Sequence, residues 1–212
     1  MSSVTSACLR LYSGAYSASG FAVSTSEFLC EKQISDRGLL AAIVLTAAHF
    51  IRRASGESPI ILGRTYRSSA LATVEVPGSD IAVVVPAREV GLPLLTLMRG
   101  PAKPLAATVT LGFGGLSRKP REPKTIPGRV ALPLPYAMSW DANARTKHAV
   151  VTVTTGAIVP QAGDSGGPVL VNGEANAVQS MIVLPMAKFF RLAVASEIWP
   201  HRASISWALN AL

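Results

Sequence analysis

An all-β fold, either a sandwich or a pair of barrels, is what this sequence predicts, and three observations predict it. Twelve short runs rich in Val, Ile, Leu and Thr follow one another along the chain. Gly, Pro, Ser or Asn separate them. Long helical periodicity is missing, and no repeat of fixed period stands out. In order the runs are "ACLRLYS" (7–13), "SGFAVST" (19–25), "LLAAIVLTAA" (39–48), "PIILG" (59–63), "ATVEV" (72–76) and "DIAVVVP" (80–86), then "AATVTLGFG" (106–114), "GRVALPL" (128–134), "HAVVTVTT" (148–155), "GGPVLVN" (166–172), "AVQSMIVLP" (177–185) and "FRLAVAS" (190–196). Each has the length of an ordinary strand. Only the end of the chain departs: "SISWALNAL" sets Ile205, Leu209 and Leu212 at helical spacing.

Composition bounds the class. The 212 residues suffice for one domain or two small ones, and 49% are apolar, enough for a sizeable core. Between residues 86 and 104, "PAREVGLPLLTLMRGPAKP" carries four prolines and two glycines, which suits a connector between two compact halves. A boundary is expected near residue 97, dividing 1–97 from 98–212. The net charge is +8 but spread out, apart from "RKPREPK" at 118–124. With prolines around it, that segment reads as a solvated loop, and no nucleic-acid partner is expected.

Cys8 and Cys30 are the two cysteines. They either close one disulfide loop or remain reduced thiols; two in so long a chain are no disulfide scaffold. Neither has the neighbours a zinc site requires. The start "MSSVTSACLRLYSG" lacks a basic segment and an apolar run, and the longest apolar stretches are about half what a bilayer requires. No membrane partner is expected. The compartment is cytoplasmic if the chain begins here and secreted if a leader has been removed.

The chemistry concentrates in "PQAGDSGGPVLV" (160–171), where a carboxylate, a hydroxyl and three glycines precede an apolar run. A serine hydroxyl is a poor nucleophile at neutral pH. It needs a base in hydrogen-bond reach, a group that fixes the tautomer of that base, and donors aimed at the developing oxyanion. Ser165 supplies the hydroxyl, and the backbone N–H groups of Gly163 and Ser165 point into one small hole. Glycine at 163 accommodates an unusual backbone conformation. Asp164 turns inward and must find a partner. Of the three histidines, His49 ends "VLTAAH", where small residues leave room for an imidazole. His148, among charges in "ARTKHAV", reads as solvated, and His201, after "IWP", as a surface turn. Asp80, at the mouth of the apolar "DIAVVV", is the orienting acid, partly desolvated and in need of a donor such as a His N–H.

"TAAH" (46–49), "SDIAVV" (79–84) and "GDSGGP" (163–168), in that order, resemble the chymotrypsin/trypsin superfamily of serine proteases. The short chain and "FFRLAVASEI" (189–198) are similar to its compact bacterial members. "GFGG" (112–115) stands where that family has a Gly-aromatic-Gly turn. The resemblance implies two six-stranded antiparallel Greek-key β-barrels with a short C-terminal helix. The first barrel would carry His49 and Asp80, the second Ser165, with the site in the crevice between them. It further implies Ser165 as nucleophile, His49 as general base and then acid, Asp80 as orienting carboxylate, and the Gly163 and Ser165 N–H groups as oxyanion hole. The implied function is a serine endopeptidase acting on protein or peptide substrates through an acyl-enzyme, with no metal or organic cofactor.

Several positions depart from the family pattern. Phe50 stands where many members have a disulfide-bonded cysteine, so packing must hold the histidine loop. No "IVGG"-like start exists to pair Asp164, which leaves Arg118, Arg129, Arg145, Arg191 or backbone donors. Val159 takes the base of the specificity pocket, and burying an unpaired cation against valine is costly, so apolar or small side chains are expected before the scissile bond. Val183, Leu184 and Pro185 align with the pocket wall. Proline has no N–H there, which weakens pairing with an extended substrate. Two other function classes fit the same residues: a protease-like binding module without turnover, and a narrow-specificity esterase.

Overall fold

The computed structural model describes residues 3–54, 57–115, 122–182 and 191–212. Twelve strands form two closed antiparallel barrels of six. The first contains β1 (Cys8–Ser13), β2 (Tyr16–Ser24), β3 (Ala42–Ala47), β4 (Ile60–Leu62), β5 (Arg67–Glu75) and β6 (Ile81–Pro86), in the order β1-β2-β3-β6-β5-β4. The second contains β7 (Ala107–Gly112), β8 (Lys124–Met138), β9 (Arg145–Thr154), β10 (Pro168–Val171), β11 (Glu174–Ile182) and β12 (Leu192–Glu197), in the order β10-β11-β12-β9-β8-β7. Each predicted run corresponds to one strand. Closing both sheets leaves neither with a long open edge.

Alternation along β3 shows how the core divides. Ala42 and Val44 join Leu9, Leu11, Ala22, Phe50, Ile61, Ala70 and Val84 in a cluster drawn from all six strands of the first barrel. Ile43 and Leu45 point the other way, toward Ile81, Val83, Leu111, Phe113, Val178 and Leu209. This second cluster joins the two barrels. Phe50 is buried, so packing does hold the histidine segment where a disulfide is absent.

The helix Arg202–Asn210 follows β12 yet packs on the first barrel. Ile205, Ala208 and Leu209 are buried. Leu212, expected on the same stripe, lies beyond the last helical turn and is exposed. Arg202 pairs with Glu27, its Nη2 3.1 Å from Oε2. The cysteines are free thiols, Cys8 buried and Cys30 exposed; burial pushes the Cys8 thiol well above its ordinary range.

His201 is not a surface turn. It is buried at the start of this helix, with Nε2–H donating to the carbonyl of Lys147 at 2.9 Å. Desolvation holds its pKa below the ordinary 6.5, and the nearby charges of His148 and Lys147 act in the same direction. On acidification the unfolded chain therefore takes up this proton first. His201 contributes stability that is full above about pH 6.5 and declines below it. Between about pH 7.5 and about pH 5.5 the melting temperature should fall less steeply in His201→Asn than in the wild type, which thermal melts across that range will read.

Candidate active site

Strand pairing assembles the first part of the site. β3 and β6 pair with Ala47 opposite Ile81, so the residues just beyond Ala47 face the residue just before Ile81. β3 runs into a short helix, Ala48–Arg53, whose first turn carries His49. Asp80 precedes β6, and its carbonyl accepts the Ala48 N–H at 3.1 Å.

The Asp80 side chain is fully buried, at 0% exposure, and four donors meet it. Oδ1 accepts the His49 backbone N–H at 2.8 Å and Arg52 Nη2 at 3.2 Å. Oδ2 accepts His49 Nδ1 at 2.6 Å and the Ser180 hydroxyl. A carboxylate offers about four lone-pair directions, so this one is saturated. With Nδ1–H donating to Asp80, the neutral ring carries its lone pair on Nε2.

The second barrel supplies the rest. Gly163 has φ +96°, a conformation that favours glycine. Among the described residues, neither the Gly163 nor the Ser165 N–H donates to a protein acceptor, whereas Asp164 N bonds Gln161 O and Gly166 N bonds Gln179 O. The Ser165 hydroxyl donates to the Ser180 carbonyl at 3.1 Å. Ser180 therefore touches the site twice, through its carbonyl to Ser165 and its hydroxyl to Asp80. It sits at a register shift in β11, between Gln179 and Met181. His49 and Ser165 border one cleft of about 320 Å³, together with Phe50, Arg53 and Gly163.

Ser19 of β2 braces this loop across the barrels. Its hydroxyl donates to Gly163 O at 2.8 Å and accepts the Phe113 N–H at 2.9 Å, while its own N–H bonds Ser165 O at 2.8 Å. Asp164, 1% exposed, accepts Gly114 N–H at 2.7 Å, Gln161 N–H at 2.7 Å and Lys124 Nζ at 2.8 Å. A Cβ on Gly114 would stand 2.7 Å from the Asp164 carboxylate, so a side chain there is excluded.

The shape of the whole chain matches known enzymes. Rv3671c protease from M. tuberculosis, in its active form, superposes with a TM-score of 0.69 at 17% identity, over 98% of this chain and 81% of that one. The serine endoprotease from Yersinia pestis gives 0.68 at 14% identity, over 97% and 64%. Kallikrein-related peptidase 10 gives 0.70 at 18% identity, over 99% and 98%. The fold is that of the chymotrypsin-like serine proteases. No family model matches the chain, and no curated protein matches it by sequence.

Within the chymotrypsin-like fold, the structure brings His49 and Asp80 together and sets Ser165 beside the same cleft. Among the described residues, none of the arginines considered pairs with Asp164. Arg118 lies outside the described residues. Arg129 bonds Leu105 O, Arg191 bonds Gly156 O, and Arg145 lines a different groove. The cation is Lys124, from a segment that reads as a solvated loop. Pairing of β7 with β8 sets Lys124 opposite Gly112, which carries its ammonium to Asp164 and leaves its side chain only 10% exposed. Val159 is half-buried, and its carbonyl accepts Lys124 Nζ at 3.4 Å. Val183, Leu184 and Pro185 lie outside the described residues. Sequence reasoning missed Ser19, Arg52 and Ser180. Ser180 had a signal, a lone hydroxyl in the apolar run "AVQSMIVLP"; Arg52 had one too, at one helical turn beyond His49.

Proposed function

We propose that the chain is a serine endopeptidase working through an acyl-enzyme. The observation that carries the reading is the buried His49–Asp80 pair bordering the same cleft as Ser165. The names of its structural neighbours, all proteases or peptidases, support it. In the reaction, the Ser165 hydroxyl turns from the Ser180 carbonyl to His49 Nε2. His49 takes the proton as Oγ attacks the substrate carbonyl carbon, and Asp80 stabilises the imidazolium. The carbonyl oxygen becomes an oxyanion facing the N–H groups of Gly163 and Ser165. Nε2–H then protonates the departing amine as the C–N bond breaks, leaving an ester on Ser165. Water repeats the sequence and releases the acid.

Val159 supplies no charge to the specificity pocket, so the preferred residue before the scissile bond is apolar or small. In a peptide library, cleavage should concentrate after such residues; cleavage mainly after Arg would overturn this.

A second reading, a binding module without turnover, is favoured by one contact: the Ser165 hydroxyl donates to Ser180 O and not to His49. A serine-directed phosphonate, with the adduct located by mass spectrometry, separates the two. Stoichiometric labelling of Ser165 that is lost in His49→Ala supports catalysis. No labelling, or labelling indifferent to His49, overturns it. Comparing peptide with ester turnover then distinguishes a peptidase from an esterase.

A further inference from the structure

A second groove, of about 440 Å³, runs between the barrels beside the loop that carries Asp80. One wall is the β5–β6 loop from Glu75 to Ser79; the other is the β8–β9 hairpin, with Tyr136, Arg145 and Lys147. Arg52 also lines it. Three cations thus face one carboxylate, and that carboxylate, Glu75, already pairs with Arg52. Arg145 and Lys147 lie two residues apart on β9, so both project from one face of the strand. Among the described residues neither pairs with a carboxylate. Like charges held side by side on a strand face repel.

The backbone holds them there regardless. Lys147 N–H donates to Gly78 O across the groove at 2.9 Å, and β8–β9 pairing sets Met138 opposite Arg145 and Tyr136 opposite Lys147. A rigid pair of cations with an exposed rim, beside a Glu75 that is already paired to Arg52, is the arrangement that an anionic group relieves. Arg52 gives the groove a route to the triad. It contacts Asp80 Oδ1 at 3.2 Å, Glu75, and the Asn143 carbonyl in the loop between β8 and β9.

We propose that this groove is an anion-binding site. It takes a carboxylate, sulfate or phosphate group between Arg145 and Lys147, and Arg52 transmits its occupancy to the Asp80–His49 pair. The anion comes either from an acidic side chain of a peptide substrate or from a free inorganic ion. Binding stands apart from the proteolysis reading; only the substrate source rests on it.

Sulfate is the probe, titrated calorimetrically into full-length Ser165→Ala protein at constant ionic strength against chloride. Saturable binding is expected. It should weaken about tenfold in Arg145→Gln and in Lys147→Gln, and be unchanged in Arg129→Gln, which lies elsewhere on the second barrel. The absence of saturation, or a loss no greater in the groove variants than in Arg129→Gln, overturns the site. In the same protein, the imidazole ¹⁵N signals of His49 should shift as sulfate saturates, and not in Arg52→Gln. Bound sulfate that leaves those signals in place overturns the coupling. Peptides carrying Glu or Asp then name the source: competition with sulfate assigns the groove to a substrate carboxylate, and its absence assigns it to a free anion. If Ser165 proves unreactive toward the phosphonate, the protease reading fails while the sulfate result still stands.

Discussion

If the chain is the proposed endopeptidase, Ser165→Ala should lower turnover by roughly 10⁴- to 10⁶-fold and leave the protein folded. The size of the loss follows from the role of the atom removed. Without Oγ no acyl-enzyme forms, and only the oxyanion donors and substrate binding remain to accelerate attack by water. The structural cost is small because, among the described residues, Ser165 makes a single side-chain hydrogen bond, to the Ser180 carbonyl. Losing it should cost about 1 kcal/mol and lower the thermal midpoint by no more than roughly 4 °C in a chain of this size. Hydrolysis of a peptide substrate and a thermal melt check the two halves together. Retained turnover ends the mechanism, whereas a large fall in midpoint would make Ser165 a structural residue.

Lys124→Met has the second largest expected effect, and it acts at a distance from the reacting atoms. Asp164 is buried, and Lys124 is its one cation among the described residues. Methionine fills similar space without charge and leaves a carboxylate with two backbone N–H donors and no counter-ion. Breaking a buried pair in this way costs about 3–5 kcal/mol, a large part of the roughly 5–15 kcal/mol that holds a domain together. Asp164 sits between the two residues whose N–H groups would receive the oxyanion, so the same change should loosen that hole. Labelling of Ser165 by the phosphonate is expected to slow by about 10²- to 10³-fold, the range seen when one oxyanion donor is removed. A second variant separates charge from shape. Lys124→Met combined with Asp164→Asn removes both charges and should recover most of the lost midpoint. An unaltered midpoint in Lys124→Met alone would mean that the pair does not hold the loop.

The strands were legible because β structure in a closed barrel is specified locally. Runs such as "DIAVVVP" and "GGPVLVN" are apolar, β-branched and bounded by turn residues, and each became a strand. The triad candidates were legible for a related reason: His49, Asp80 and Ser165 lie in short segments whose unusual features, small residues, a carboxylate at an apolar strand, glycines around a hydroxyl, have few other uses. Lys124 was not legible. Its neighbours "RKPREP" are polar and proline-rich, and only the register Gly112↔Lys124 places it against Asp164. His201 failed likewise, since "IWPH" has the composition of a turn, while burial depends on where the final helix docks. What the sequence withheld, in each case, is which distant segment covers a residue.

The docking of helix Arg202–Asn210 on the first barrel bears on how the molecule comes into being. A ribosome makes the His49 half first, but Ile205 and Leu209 complete the apolar cluster that joins that half to the second barrel, and Arg202 anchors to Glu27. Until those late residues emerge, the early barrel lacks part of its cover. The apolar cluster between the barrels is therefore fully covered only once synthesis has passed residue 209.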